Sequence, residues 1–144
     1  MTSLLRLLLL AVTAVAACRA PAGDRMGSPA ASTAYRRAVA NLEAPVEKAV
    51  RAFEESRSRG PAALKNAAGE AFRESRRARD ELETLAVVPE LDRARQEELV
   101  SLNHFVLGFQ AFAASRGGEA ELAELESIVR CGRAHRLRGR EAIP

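Results

Sequence analysis

Apolar residues recur along the chain in alternating steps of three and four, and this spacing is the feature that most restricts the fold. The first run is Tyr35, Val39, Leu42, Val46, Ala49 and Phe53. Residues spaced in this way lie on one face of an α-helix, and that face must be buried against other parts of the chain. The sequence lacks strand signals such as period-two alternation and Asn-Gly turns. It therefore predicts an all-α fold.

Three further segments carry the helical spacing. The second contains Leu64, Ala68, Ala71, Ser75, Ala78, Leu82 and Leu85. The third covers 90–115 and has the broadest apolar face, with Leu91, Leu99, Leu102, Phe105, Val106, Phe109 and Phe112, which predicts a central position in the fold. The fourth contains Leu122, Leu125, Ile128 and Val129, and we expect it to end near Leu137 or Gly139.

Glycine and proline separate these segments. Gly60-Pro61, Val87-Val88-Pro89 and Gly117-Gly118 mark the breaks, and Ser32 or Thr33 is expected to cap the first helix. Pro45 lies inside the first segment, but the apolar spacing keeps its phase across it, which predicts one kinked helix. Four helices with short connections predict an antiparallel up-down bundle over residues 32–138, with a tail at 139–144.

The first 17 residues have the layout of a secretory signal peptide. Arg6 supplies a positive charge, and the apolar run Leu7 to Ala17 is interrupted only by Thr13. As a helix this run is roughly 16 Å long, about half the thickness of the hydrocarbon core of a bilayer. The segment is therefore too short for a membrane span and is typical of an exported protein.

The residues that follow are similar to the lipobox of bacterial lipoproteins. Val15-Ala16-Ala17-Cys18 is an aliphatic residue, two small residues and a cysteine. The resemblance implies that a lipid is attached to Cys18, that the chain is cut before it, and that acyl chains hold the protein at a membrane of the cell envelope. Arg19 stands where an aspartate favours retention in the inner membrane of enterobacteria, so the resemblance implies the outer membrane, facing the periplasm or the exterior.

Two alternatives remain open at the N-terminus. Ala14-Val15-Ala16 matches the site of ordinary signal peptidase. Cleavage there leaves Cys18 in an oxidising compartment, where it can pair with Cys131 in a soluble periplasmic or secreted protein. An uncleaved signal anchor is the other alternative. In each case residues 18–31, rich in Pro, Gly, Ala and Ser, have the composition of a flexible linker.

Few residues suggest chemistry. His104, Cys131 and His135 include two residues one helical turn apart, and the three together form a hypothetical metal site. The competing interpretation is that Cys131 is a small buried apolar residue beside Ile128. Glu43, Glu47, Glu54 and Glu55 are expected on solvated faces, and the common catalytic and phosphate-binding motifs are missing. We expect no cofactor and no enzymatic activity.

Five arginines lie at the end of the fourth helix: Arg130, Arg133, Arg136, Arg138 and Arg140. They either complement the helix dipole or form an anion-binding surface for lipid head groups or an acidic partner protein. The 22 basic and 19 acidic residues of the chain are otherwise mixed, which disfavours nucleic acid as a partner.

Three functions fit these patterns. The first is a non-catalytic cell-envelope lipoprotein whose helical domain acts as a binding or adaptor module. The second is a periplasmic four-helix sensor of a ligand or metal. The third is a periplasmic inhibitor or immunity-type protein.

Overall fold

A computed structural model describes residues 28–144, and 89% of these residues are helical. No strand occurs among them, which confirms the predicted all-α class. The predicted signal peptide, Cys18 and most of the predicted linker lie outside the described residues.

Four long helices pack against each other. They are α1 (Pro29–Glu55), α2 (Pro61–Thr84), α3 (Asp92–Ala114) and α4 (Glu119–Glu141). Short 3-10 segments extend α1 at Ser56–Arg59 and precede α3 at Pro89–Leu91. Pro45 lies within α1 and the helix continues through it, so the prediction of one helix is confirmed.

Two helix boundaries differ from the expected ones. The N-cap of α1 is Ser28, whose side-chain oxygen accepts a hydrogen bond from the Ala31 amide at 3.2 Å, so neither Ser32 nor Thr33 is the cap. The reason is that Pro29 fits the first helical position without a backbone donor. At the other end α4 continues to Glu141 instead of stopping near Leu137 or Gly139. Gly139 does not end the helix but is buried against α3, where an added Cβ would lie 3.2 Å from the Ala94 carbonyl oxygen.

The turn between α1 and α2 forms where the sequence predicts it. Gly60 has a φ of 93°, a conformation that side-chain-bearing residues rarely adopt, and Pro61 begins α2. Between α2 and α3, Val88 is extended before Pro89, as the residue before a proline is expected to be.

The predicted apolar seams form the core. On α1 every member of the predicted seam is buried except Leu42, which is half-buried. On α2 every member is buried, and Leu85, which follows the last residue of the helix, is half-buried. The core is centred on α3, where Phe109 is fully buried and meets the Phe53 ring edge-on at a centroid distance of 5.3 Å. Helix α3 packs against both α2 and α4, in agreement with its predicted central position.

Small residues let α3 and α4 approach closely. A Cβ added to Gly132 would lie 2.7 Å from the Phe105 ring and 3.1 Å from the Ser101 carbonyl oxygen. Consecutive helices make extensive backbone contacts, whereas α1 and α4 approach each other mainly through side chains. We call this more open line of contact between the first and last helices the α1–α4 seam.

Within residues 28–144, none of the helices combines the length and the apolar character that crossing a bilayer requires.

Candidate functional site

Ion pairs concentrate along the α1–α4 seam. Glutamates at 43, 47 and 54 recur at helical spacing on α1, and arginines at 133, 136 and 140 do so on α4, so each helix presents one sign of charge to the other. Glu43 pairs with both Arg140 and Arg136 across the seam, each at 2.8 Å. Arg136 also pairs with Glu47, and Arg133 lies 3.2 Å from Glu54. Beyond Glu54 the order of charges reverses, with Arg57, in the 3-10 segment that follows α1, lying 2.6 Å from Glu126 of α4.

The centre of this network is buried, and we call it the Arg136 cluster: Arg136, Glu43 and Glu98, with the partly exposed Glu47 at its edge. Arg136 Nε lies 2.8 Å from Glu43 Oε1 and donates a hydrogen bond to Glu98 Oε1 at 3.2 Å. As whole residues, Arg136, Glu98 and Glu43 are 5%, 3% and 7% exposed. The guanidinium also stacks over the Phe105 ring, 4.9 Å from its centroid. The cluster therefore links α1, α3 and α4 through a single arginine.

Burial changes the protonation of the cluster. Loss of solvent, opposed by Arg136 and reinforced by the nearby Glu43 carboxylate, raises the pKa of Glu98 to about 7. Burial likewise raises the pKa of Tyr35, the single tyrosine of the chain. At the edge of the cluster the pKa of Glu97 is lowered, chiefly because His135 hydrogen-bonds to it. Glu98 therefore takes up a proton near neutral pH.

We expect Glu98 to make folding stability fall as the pH rises from 4.5 to about 7. The folded chain keeps the Glu98 proton up to about pH 7, whereas an unperturbed glutamate loses it near 4.5. The stabilisation is therefore complete below pH 4.5 and disappears as the pH rises through 7, with a size on the order of 3 kcal/mol. Urea denaturation at intervals across this range measures it.

Glu98→Gln removes the titrating group, so its stability is expected to vary much less with pH. Glu55→Gln, which changes an exposed carboxylate on α1, is the matched control and should keep the slope of the parent chain. A Glu98→Gln variant with the full pH dependence of the parent would contradict the assignment. Glu97 does not disturb the comparison, because its lowered pKa places its titration below this range.

The sequence prediction was wrong for Glu43, which is 7% exposed and not on a solvated face. It missed Glu98 altogether. A signal for both exists in the sequence: Glu43 falls between Val39 and Val46 in the α1 seam, and Glu98 follows Ala94 at the same apolar spacing. A charged residue in a seam position is a candidate for a buried, paired charge.

The residues of the hypothetical metal site are brought together only in part. The rings of His104 and His135 stack with a centroid distance of 5.2 Å and an angle of 27°. Each Nδ1 already has a hydrogen-bonding partner, the Val100 carbonyl oxygen for His104 and Glu97 for His135, both at 2.8 Å. Among the residues that the structure describes, no group of three or more His, Cys, Asp or Glu is arranged to hold a metal ion.

Cys131 is exposed, so the expectation of a buried apolar cysteine was wrong. The reason is its position on α4, where Val129 and Gly132 face inward and Cys131 does not.

Four of the five C-terminal arginines are engaged with glutamates. Arg136 is buried in its cluster, Arg133 and Arg140 pair with α1, and Arg138 lies 3.3 Å from Glu97. Arg130 is exposed and, within residues 28–144, has no carboxylate at ion-pair distance. Anion binding by this region remains a prediction, and Arg130 is the arginine best placed for it.

A groove opens in the α1–α4 seam beyond the buried cluster. Its volume is about 270 Å³. The apolar lining residues are Val50, Phe53, Phe109, Leu125 and Val129, and the charged ones are Glu54, Arg57, Glu126, Arg130 and Arg133. Half of the lining residues are therefore charged, and the apolar half is buried beneath them.

Comparisons with protein-family models, with curated proteins and with solved structures find no match to this chain.

Proposed function

We propose that the protein is a non-catalytic lipoprotein of the bacterial cell envelope, held at a membrane through Cys18, whose helical domain binds a partner or ligand from the envelope. By the analogy with Arg19, the membrane is the outer one. The tether is supported by the lipobox-like Val15-Ala16-Ala17-Cys18 behind an apolar run of signal-peptide length. Two or three acyl chains give stable anchoring, which one chain does not.

The observation that carries the binding role is the groove in the α1–α4 seam. It combines apolar side chains from α1, α3 and α4 with charged side chains on both sides of its mouth. The charged rim offers charge pairing to a bound molecule. The proposed binding face is therefore the α1–α4 seam and not the whole C-terminal arginine cluster.

The four helices are further proposed to alternate in direction as an up-down bundle. Short connections support this, since helices joined by a few residues are usually antiparallel neighbours. Contacts at the two ends of α1 support this alternation of helix direction. Tyr35, near the start of α1, shares a cavity with the connection after α2, while Phe53, near the end of α1, contacts Phe112 near the end of α3.

A structural role accounts for the buried carboxylates without invoking catalysis. Glu98 has the raised pKa expected of a general base, but its side chain is 4% exposed and its carboxylate is held by Arg136. Structural ion-pair networks perturb pKa values as catalytic sites do. We assign the Arg136 cluster to the positioning of α1, α3 and α4.

We expect Cys18→Ser to release the protein from the membrane fraction of its host. Serine cannot receive the lipid, so the domain loses its anchor and moves to the soluble fraction. Cys131→Ser, which changes the exposed cysteine on α4, is the matched control and should stay with the membranes. Membrane association that is equal for both variants after residues 1–17 have been removed from each would contradict the anchor at Cys18. Immunoblotting of fractionated cells provides the measurement.

A further inference from the structure

The exposed side of α4 carries opposite charges at its two ends. Five exposed residues, spaced alternately by three and four positions, lie along one line of the helix: Glu124, Ser127, Cys131, Ala134 and Arg138. The three in the middle are small and uncharged. Cys131 is seven residues from each end of the line, so each charge lies about 10 Å from it along the helix. The line is therefore negative at one end, positive at the other and centred on Cys131.

The adjoining side of α3 carries no charged residue over more than four turns. No Asp, Glu, Lys or Arg occurs from 99 to 115. Leu107 in this stretch is 65% exposed, which makes it the most exposed large apolar residue within 28–144. It lies beside the contact between the two helices, where Gly108 packs against Ile128. We call the surface formed by Leu107 and the five-residue line of α4 the α3–α4 face. The exposed side of α2, by contrast, carries a series of ion pairs.

We propose that the α3–α4 face binds a second copy of this chain, with the two α4 helices antiparallel and a two-fold axis passing beside Cys131. In this arrangement Glu124 of each copy lies opposite Arg138 of the other, and the small residues between them let the two helices approach closely. Leu107 is covered by α3 of the second copy. The inference rests neither on the proposed lipid anchor nor on the groove of the α1–α4 seam.

Both charged residues are able to pair outside their own chain. No lysine or arginine stands three or four positions from Glu124 on α4, so its own helix gives it no partner. The Arg138 side chain is 48% exposed and lies 3.3 Å from Glu97 through Nε, which leaves the other donors of its guanidinium for a second carboxylate. The two ends of the α3–α4 face are therefore complementary to each other.

The same charges disfavour a parallel pair. If the two α4 helices ran in one direction, Glu124 would face Glu124 and Arg138 would face Arg138, and like charges in contact cost binding energy. An antiparallel pair brings unlike charges together twice, because a two-fold axis repeats each contact. The α3–α4 face is thus complementary to itself, which favours a second copy over a partner with a different surface.

The size of the face predicts weak association. Helices α3 and α4 have 23 residues each, so together they form a strip about 34 Å long and about 20 Å wide, on the order of 700 Å². Standard interfaces bury roughly 800 Å² per partner, but this face has a single large exposed apolar side chain, Leu107. We expect a dissociation constant on the order of 50 μM. At the low-micromolar concentrations of a denaturation experiment the chain is then monomeric.

Sedimentation equilibrium of charge variants tests the arrangement. The protein is the chain without residues 1–17 and with Cys18→Ser, so that neither a lipid nor the apolar segment contributes to association. Glu124→Arg places arginines opposite each other in the proposed pair, and Arg138→Glu places glutamates opposite each other. Arg37→Glu, which changes an exposed arginine on α1, is the matched control. Far-ultraviolet circular dichroism checks that each variant is folded.

We expect the parent chain to be mostly dimeric at about 200 μM. Glu124→Arg and Arg138→Glu should each weaken dimerisation at least about tenfold, while Arg37→Glu leaves it unchanged. An equimolar mixture of Glu124→Arg and Arg138→Glu should dimerise as readily as the parent, because both contacts of the mixed dimer join unlike charges. A parent chain that stays monomeric would overturn the proposal. A parent that dimerises while the mixture of folded variants stays monomeric would show that a different face of the chain pairs.

Cross-linking at Cys131 gives a second measurement that needs no charge variant. With Cys18 replaced, Cys131 is the single thiol of the chain, and a short bismaleimide joins two thiols only where they lie close together. The parent should give a covalent dimer. The control combines Cys131→Ser with Asn66→Cys, which moves the thiol to an exposed position on α2, and it should not. Equal yields from the two positions, or no covalent dimer through Cys131, would overturn the placement of the two-fold axis.

Discussion

Arg136→Met should destabilise the domain by about 3–5 kcal/mol at neutral pH, because it removes the partner of buried carboxylates. Glu98 and Glu43 are 3% and 7% exposed, and neither can regain full hydration without opening the packing between α1, α3 and α4. Methionine occupies a similar volume to the arginine side chain, so the loss comes from the charge and not from a cavity. Urea denaturation followed by far-ultraviolet circular dichroism measures it.

The double variant Arg136→Met with Glu98→Leu separates the effect of the lost charge on stability from the effect of altered packing. It removes the cation and the most buried carboxylate together, while Glu43 keeps Arg140 at 2.8 Å. Replacing a buried ion pair by apolar residues is often neutral or stabilising, so the double variant should recover most of the stability lost in Arg136→Met. The loss in the single variant should also shrink at pH 5, where Glu98 is protonated in the parent as well. A double variant as unstable as Arg136→Met would show that Arg136 acts through packing alone.

Phe109→Ala should cost about 3–5 kcal/mol of unfolding free energy. Phe109 is completely buried, and its ring meets the edges of two other aromatic rings, Phe53 at 5.3 Å and Phe105 at 6.5 Å. Truncation leaves a cavity at the centre of the core and removes both aromatic contacts. Since a domain of this size has a total stability of roughly 5–15 kcal/mol, the variant is expected to be near its folding limit at room temperature.

Leu107→Ala is the matched control for Phe109→Ala. Leu107 lies two residues away on α3 and is 65% exposed, so its truncation should change stability by no more than about 0.5 kcal/mol. Chemical denaturation of both variants under the same conditions compares them. Equal losses at the two positions would contradict the assignment of the inward face of α3.

The apolar seams could be predicted because helix periodicity is a local property of the sequence. Val46, Ser75 and Phe105 were placed on inward faces from spacing alone, and all three are buried. Gly60-Pro61 was equally predictable, since both residues restrict the backbone at the position where they stand. The cap at Ser28 was missed because several residues near the start of α1 are able to cap a helix.

The Arg136 cluster could not be assembled from local patterns. Glu43, Glu98 and Arg136 come from three helices separated by more than thirty residues each, and their pairing depends on how those helices pack. Each of them does lie on the apolar face of its own helix. That position indicates that the residue is buried, but it does not show which residue it pairs with. The exposure of Cys131 has the same origin, because apolar character does not decide which side of α4 faces α3.

The most direct test of a membrane-tethered binding domain is the intact mass of the protein extracted from the membrane fraction of its native host. The account predicts a mature chain that begins at Cys18 and is heavier by two or three acyl chains. An unlipidated chain that begins at Ala17 and is lighter by two hydrogens would contradict it, because that mass indicates a disulfide between Cys18 and Cys131 in a soluble periplasmic or secreted protein.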